Sequence, residues 1–202
     1  MVNNERINNY LLEARKTIEA LDIDMINQVF NVLDGALKNG KTVYVFGNGG
    51  SGSTATHMTN DFNKAIFRDT SMTFNFRCLN DNIPLLLAIS NDIGYDDVFV
   101  YQLNGRLTCD DIVIALSGSG NSMNVINAVE YARYCGAMVI AFTGYDGGKL
   151  KGLADYSLDT NICNMQITED IHLMMEHLLI SLFYDIYGVG EYKKLVLKKN
   201  RE

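Results

Sequence analysis

The sequence contains a single proline, Pro84, and lacks any apolar run long enough to cross a bilayer. A proline-rich linker is therefore excluded, and no membrane partner is expected. The four cysteines are widely spaced without a Cys-x-x-Cys pair, which argues against a zinc knuckle or a disulfide framework. The first residues lack the apolar stretch of a signal peptide. Together these absences favour a globular protein of the reducing cytoplasm.

Positive charge is also scarce, because 17 Lys and Arg oppose 24 Asp and Glu and leave a formal net charge of −7. A nucleic-acid surface needs clustered cations, so nucleic acid is not expected as a partner. Basic residues do collect within 191–202, which we interpret as a solvated basic C-terminal tail. An acidic protein can still bind an anion where backbone N–H groups of a loop point at it.

Residues 1–40 contain two amphipathic helices, with apolar residues at helical spacing over 5–38. We interpret 1–40 as an N-terminal helical segment for oligomerisation, since helices placed before the first strand often pack on a partner subunit. An apolar stripe does not name what it packs against, so packing on the chain's own sheet remains the alternative.

From residue 41 to 190 short apolar strands alternate with helices. Strands are predicted at 42–46, 72–79, 111–116, 137–143 and 156–158, and helices at 53–66, 83–90, 96–103, 123–134 and 165–187. The alternation predicts right-handed crossovers and one three-layer α/β domain, a Rossmann-like parallel sheet flanked by helices. Ligands of such sheets bind at the carboxyl ends of the strands.

The loop at 117–122 combines three serines, two glycines and an asparagine between a buried strand and a helix. Glycines let backbone N–H groups approach an anion, serines add donors, and the following helix adds its positive end. This pattern predicts a phosphate monoester site. The alternative is a capped turn with Ser122 as the cap, which accounts for one serine of three. The loop at 47–53 is a weaker signal, for sugar hydroxyls or for close helix packing.

The three histidines, His57, His172 and His177, all lie near acids. His57 and Asp61 are four residues apart on a predicted helix and share a face. The last helix also carries Glu169 and Glu176. Such groups act as acid/base pairs or as ligands of a divalent metal, whereas each histidine alone is more simply a satisfied core or surface residue. With a phosphate anchor, they supply the parts that aldose–ketose isomerisation needs.

In combination and order, several segments resemble the SIS (sugar isomerase) domain, specifically the phosphoheptose isomerase family, from the N-terminal helices to about Gly188. The segments that carry the resemblance are 46–51, 90–92, 116–122, 143–149 and 169–177. The resemblance implies an intramolecular oxidoreductase that converts a phosphorylated seven-carbon sugar, sedoheptulose 7-phosphate, into D-glycero-D-manno-heptose 7-phosphate for surface polysaccharide such as lipopolysaccharide. It also implies a homotetramer with active sites between subunits.

The resemblance further implies roles for individual residues. Asp61 and His177 take the catalytic positions. The positions that hold zinc in some members are His57, Asp61, Glu169 and His177, so Zn²⁺ is the expected cofactor. The substrate-binding positions are Asn48, Gly49, Ser51, Asp92, Ser117, Gly118, Ser119, Asn121, Ser122 and Glu169.

Three of these residues depart from the family pattern. Asp61 stands where the family usually has Glu, Glu169 where Gln is usual, and Gly118 where Thr is usual. A metal site with Glu169 would carry one more negative charge and hold a divalent cation more strongly. The alternatives are an isomerase of another ketose phosphate and a non-catalytic SIS module that binds a sugar phosphate or the replication initiator. Both histidines and the acid at Asp61 favour an enzyme.

Overall fold

The sheet is parallel throughout and has five strands. A computed structural model describes residues 3–65 and 72–188. The strands are β1 (Thr42–Gly47), β2 (Asn75–Cys78), β3 (Ile112–Ser117), β4 (Met138–Thr143) and β5 (Tyr156–Asp159). Their order is β2-β1-β3-β4-β5, and each neighbouring pair is parallel. The predicted α/β sheet is therefore confirmed.

Helices cover both faces of this sheet. They are α1 (Asn4–Glu19), α2 (Ile23–Asn39), α3 (Gly49–Lys64), α4 (Ile83–Asp92), α5 (Val100–Leu103), α6 (Met123–Tyr134), α7 (Gly148–Leu153) and α8 (Met165–Tyr187). Side chains of α2, α3 and α8 form the core on one face, and those of α4 to α7 form the core on the other. The predicted helix over 96–103 is wrong as one element, because a 3-10 turn at Tyr95–Asp97 precedes the short α5.

Residue alternation along the strands divides the interior between these two cores. In β1, Val43 and Val45 contribute to the α2, α3 and α8 side, whereas Tyr44 and Phe46 contribute to the opposite side. Successive side chains of a strand point to opposite faces, so both faces must be apolar when both are covered. This requirement explains the unbroken apolar runs of β1 and β3.

The two N-terminal helices differ in what they bury. Helix α2 begins at an N-cap, Asp22, whose side chain accepts a hydrogen bond from the Met25 N–H at 2.9 Å. The helix buries Ile26, Val29, Leu33, Ala36 and Leu37 against the sheet. Helix α1 buries only Thr17, although its Tyr10 hydroxyl donates to Asp170 of α8 at 2.6 Å. Of the segment 1–40, α2 therefore belongs to the domain's own core.

The strand order creates a topological switch point between β1 and β3. The chain leaves β1 toward β2 on one side and returns to β3 on the other, so the loops after these strands diverge. In such sheets the crevice at the switch point is the usual ligand site. Its walls are the residues that follow Gly47 and Ser117.

Two further expectations can be placed. The basic segment 191–202 lies outside the described residues. Within 3–65 and 72–188, the helices include none that is both long enough and apolar enough to span a membrane.

Candidate functional site

The loop at 117–122 is held in a defined conformation by its own hydrogen bonds. The Gly120 N–H donates to the Ser117 carbonyl at 3.0 Å and to its Oγ at 3.2 Å. The Asn121 N–H donates to Ser119 Oγ at 3.2 Å. Ser122 precedes α6, but its side chain makes no capping hydrogen bond and lies 3.4 Å from Ser117 Oγ. The simple capped turn thus does not account for Ser122.

Two glycines of this loop are required by their neighbours. Gly120 has a φ of 64°, and a Cβ there would lie 2.0 Å from the Gly147 carbonyl oxygen. A Cβ at Gly118 would lie 2.4 Å from the sulfur of Met165, which occupies the space that a threonine side chain would need. The loop also anchors α7, since the Lys149 N–H donates to Asn121 Oδ1 at 3.2 Å.

Across the switch point, the loops after β1 and β3 are joined by paired amides. The side chains of Asn48 and Asn124 exchange two hydrogen bonds of 2.9 Å, and the Tyr95 hydroxyl donates to Asn48 Oδ1 at 2.9 Å. Beside them lies a cavity of about 160 Å³, lined in part by Asn48, Gly49, Ser90 and Tyr95. Asn48 is thus fixed in place at the edge of a small cavity.

The other predicted substrate-binding residues around this cavity differ in their exposure. Ser51 is buried in the first turn of α3, and Gly49 is exposed with a φ of 53°. Asp92 is exposed at the end of α4, where its carboxylate accepts a hydrogen bond from Asn91 at 2.7 Å. Asp92 is not among the residues that line the small cavity.

Helices α3 and α8 bring two histidines and two acids together. His57 and Asp61 of α3 face Glu176 and His177 of α8, with one ligand atom of each within 4.8 Å of the others. The two Nε2 atoms are 3.0 Å apart. Asp61 Oδ2 lies 3.4 Å from His57 Nε2 and 3.8 Å from His177 Nε2, and Glu176 Oε2 lies 3.4 Å from His177 Nε2. We call this group the α3–α8 cluster.

Glu176 is the buried member of the α3–α8 cluster. Its side chain is 0% exposed, and neither carboxylate oxygen has a hydrogen-bond partner. Burial raises its pKa to about 8, and the negative charge of Asp61 adds to the rise. The other three side chains are partly exposed, 44% for His57, 49% for His177 and 24% for Asp61. One side of the α3–α8 cluster is therefore open to the surface, whereas the other ends at a buried carboxylate.

Glu169, predicted as a ligand, lies elsewhere. A Cβ at Gly50 would be 2.2 Å from Glu169 Oε2, so this carboxylate lies against the first turn of α3. Gly50 precedes His57 by seven residues, or about 10 Å along a helix axis. Glu176, which the sequence suggested only as one of several acids near the histidines, lies in the α3–α8 cluster instead. Its signal was a charge within the apolar stripe of α8, between the buried residues Met175 and Leu179.

The third histidine, His172, is separate from the α3–α8 cluster. It is fully buried, and its Nε2 lies 3.1 Å from the Thr143 carbonyl, which makes that nitrogen the protonated one. Its ring meets Phe142 edge-on with centroids 5.7 Å apart. Burial lowers the pKa of His172 to about 4. The neutral ring is a core residue beneath the end of β4.

Comparisons with family models, curated proteins and solved structures all match this chain to the same family. Residues 8–144 match the SIS domain family. A probable phosphoheptose isomerase of Thermoplasma acidophilum is 32% identical over 173 residues, which cover 86% of this chain and 94% of that protein. Two solved phosphoheptose isomerases superpose with a TM-score of 0.80. The enzyme of Francisella tularensis is 29% identical, and the match covers 90% of this chain and 97% of that protein. The enzyme of Neisseria gonorrhoeae is 27% identical, and the match covers 88% of this chain and 96% of that protein.

Proposed function

The protein belongs to the SIS domain family, and we propose that it is a phosphoheptose isomerase interconverting sedoheptulose 7-phosphate and D-glycero-D-manno-heptose 7-phosphate. The observation that carries the proposal is the α3–α8 cluster, in which acid/base groups from two distant parts of the chain converge. The similarity to named isomerases over most of the chain supplies the substrate class.

The phosphate end of the substrate binds at the loop after β3. Ser117, Ser119 and Ser122 contribute hydroxyl donors, and the N-terminus of α6 contributes its positive end. The sheet ends at this loop, so the charge of the phosphate lies outside the apolar core. Asn48, held by Asn124 and Tyr95, presents an amide beside the sugar chain.

The reaction transfers one proton from C1 of the ketose to C2, through an enediol. Asp61 is the base that takes the C1 proton and returns it to C2, while His177 exchanges protons with the two substrate oxygens. Asp61 Oδ2 lies within 4 Å of both imidazole Nε2 atoms, so the carboxyl group and the two rings face the same part of a bound substrate. C1 is oxidised from an alcohol to an aldehyde while C2 is reduced from a ketone to an alcohol, so the isomerisation needs no external oxidant.

A zinc ion fits the α3–α8 cluster. Imidazole nitrogen and carboxylate oxygen are ligands that Zn²⁺ accepts, and a cation in the cluster would offset the charge of the buried Glu176 carboxylate, whose oxygens have no hydrogen-bond partner. His57, Asp61 and His177 would hold the ion. When bound, it would supply Lewis-acid stabilisation of the charge that develops on the substrate oxygen.

We infer that the active site forms between copies of this chain, as a homotetramer. The α3–α8 cluster lies about two helical turns from the first turn of α3, away from the carboxyl edge of its own sheet. Helix α1 also leaves Ile7, Leu11, Leu12 and Ile18 between 42% and 60% exposed, which is unfavourable for an isolated chain. Size-exclusion chromatography with light scattering tests the assembly.

The proposed function is tested by incubating the zinc-supplemented protein with sedoheptulose 7-phosphate and measuring the aldose product. We expect turnover by the wild type and its loss in Asp61→Asn and His177→Gln, with the circular dichroism spectrum unchanged. Asp185→Asn is the matched control, because Asp185 is an exposed acid on the same helix as His177. Wild-type rates in either cluster variant would overturn the mechanism, and a panel of other ketose phosphates identifies the preferred sugar.

A further inference from the structure

We propose that Asn124 is a positioning residue of the sugar-phosphate site, which fixes the amide of Asn48 so that a single N–H donor remains for an oxygen atom of the substrate. The inference rests on the proposed function in taking a sugar phosphate at the carboxyl edge of the sheet. It gives a role to a buried amide of α6 that lies beyond the loop at 117–122, and it states which hydrogen-bonding group Asn48 offers.

The first observation is the burial of Asn124. The residue is 1% exposed, and it precedes the buried apolar residues Val125 and Ile126 in the first turn of α6. A buried amide is costly unless its hydrogen bonds are made inside the protein. Asn124 makes two of them, each of 2.9 Å, with the side chain of Asn48 across the switch point. This buried polar residue therefore ties the start of α6 to the loop after β1.

The orientation of the Asn124 amide is set by the backbone. The Val125 N–H donates to Asn124 Oδ1 at 2.9 Å and also to the Ser122 carbonyl at 3.1 Å. A backbone N–H can only donate, so a flipped amide would bring the NH₂ group of Asn124 against another donor. Oδ1 of Asn124 is therefore the atom that accepts from Val125, and Nδ2 is the atom that donates to Asn48.

The orientation of the Asn48 amide follows from that of Asn124. Because Asn124 Nδ2 donates to Asn48 Oδ1, the Nδ2 of Asn48 donates in return to Asn124 Oδ1. The Tyr95 hydroxyl donates to the same Asn48 Oδ1 at 2.9 Å. An amide oxygen has two lone pairs, so both acceptor positions of Asn48 are occupied. Of the two hydrogens on Asn48 Nδ2, one is bound to Asn124 and the other remains for a ligand.

Asn48 therefore offers the substrate a donor and no acceptor. The residue is half-buried and lines the cavity of about 160 Å³ together with Gly49 and Ser90. One N–H can bind a carbonyl or hydroxyl oxygen of the sugar, but it cannot accept a hydroxyl proton. A sugar hydroxyl bound there must donate its own hydrogen to another group. Without Asn124, the Asn48 amide could turn and present its oxygen, so the selection for an acceptor would be lost.

The test is a double-mutant cycle of Asn124→Leu and Asn48→Ala, measured as the Kd for sedoheptulose 7-phosphate by calorimetry. All variants are full-length and carry Asp61→Asn, so that the substrate binds without turnover. Each single change should raise the Kd about tenfold, which corresponds to the loss of about one hydrogen bond. Because Asn124 acts through Asn48, the double variant should also bind about tenfold more weakly. A loss of about a hundredfold, as independent effects would give, overturns the proposal, and so does an unchanged Kd in Asn124→Leu.

Two further variants separate positioning from folding. Asn127→Leu is the matched control, because it removes an amide of the same helix that donates to the Asp96 carbonyl at 3.1 Å, and it should leave the Kd unchanged. An equal loss in this control would contradict a specific role of Asn124. Asn124→Asp keeps the acceptor for Val125 but removes the donor to Asn48, so it should weaken binding about tenfold even if Asn124→Leu fails to fold. Wild-type affinity in Asn124→Asp overturns the proposal. Turnover by the chain without Asp61→Asn is assayed separately, and its absence while the cycle holds overturns the isomerase function alone.

Discussion

The loop edge of the sheet and the α3–α8 cluster differ in how their polar groups are satisfied. At the edge, Asn48, Asn124 and Ser117 bond to one another or to nearby backbone, so the loops are preformed. In the α3–α8 cluster, Glu176 is buried without a hydrogen-bond partner and two imidazoles face each other. A preformed edge of neutral donors suits an anion, whereas two imidazoles beside two carboxyl groups are ligand types that suit a divalent cation. This difference is the reason for proposing an anion at the loop edge and a cation at the α3–α8 cluster.

The sharpest way to break the loop edge is Gly120→Ala. The new Cβ would lie 2.0 Å from the Gly147 backbone oxygen, at a φ of 64° that a side chain disfavours. We expect a loss of about 2–4 kcal/mol in the free energy of unfolding, measured by urea denaturation. Gly50→Ala is the comparison, because its clash is with the flexible end of Glu169 and should cost less. Equal losses would show that the loop is not rigid.

Helix α8 carries two buried titratable groups, Glu176 in the α3–α8 cluster and His172 outside it. The pH dependence of stability distinguishes them, beginning with His172. Its pKa is lowered from 6.5 to about 4, so between these values the unfolded chain binds a proton that the fold does not. Stability is therefore full above pH 6.5 and falls as the pH drops toward 4, by about 3 kcal/mol from this group. Thermal unfolding across this range checks the slope, which His172→Gln should flatten. An identical slope in that variant would contradict the assignment.

In the α3–α8 cluster, by contrast, removing a charge should stabilise the metal-free protein. In chelator-treated protein, Glu176→Gln should increase the free energy of unfolding by about 1–2 kcal/mol, because an amide is cheaper to bury than a carboxylate. With excess Zn²⁺ this gain should shrink, since a cation bound at the cluster would offset the negative charge of Glu176. Thermal unfolding with chelator and with Zn²⁺ checks the difference. If the wild type were the more stable in chelator, the buried carboxylate would not be a cost.

The smallest expected effect is on substrate binding at the loop edge. Ser119→Ala removes one hydroxyl donor from the proposed phosphate loop and should raise KM by about tenfold with kcat nearly unchanged. Ser181→Ala, on an exposed part of α8, is a control that keeps the α3–α8 cluster side chains intact. Steady-state kinetics separate the two constants. An unchanged KM would remove Ser119 from the phosphate site.

Much of the fold follows from local sequence, because buried strands and capped helices leave strong local patterns. The helix at Met123–Tyr134 and the helix at Met165–Tyr187 have the predicted bounds. By contrast, α3 begins at Gly49 rather than 53, since glycines that indicate a turn here form the first helical turn. Helix α7 follows Gly147 and was not predicted, because its position depends on contacts with the 117–122 loop.

The site was predictable to a similar degree. His57 and Asp61 share a helical face, a relation that spacing alone reveals. That His177 meets them across 120 residues is a tertiary fact, which motif order indicated and periodicity did not. Glu176 was named only among the acids of the last helix, because a charge in an apolar stripe shows its burial only when the partner helix is in place. Glu169 and Glu176 are seven residues apart on one helix, so sequence alone could not decide between them.

The most direct test of the central claim is turnover of sedoheptulose 7-phosphate by metal-replete wild-type protein, followed by the appearance of the aldose 7-phosphate. The account predicts steady conversion to an equilibrium mixture, abolished in Asp61→Asn and preserved in Asp185→Asn. Absence of conversion by well-folded wild-type protein with Zn²⁺ present, or conversion at the same rate by Asp61→Asn, would contradict it.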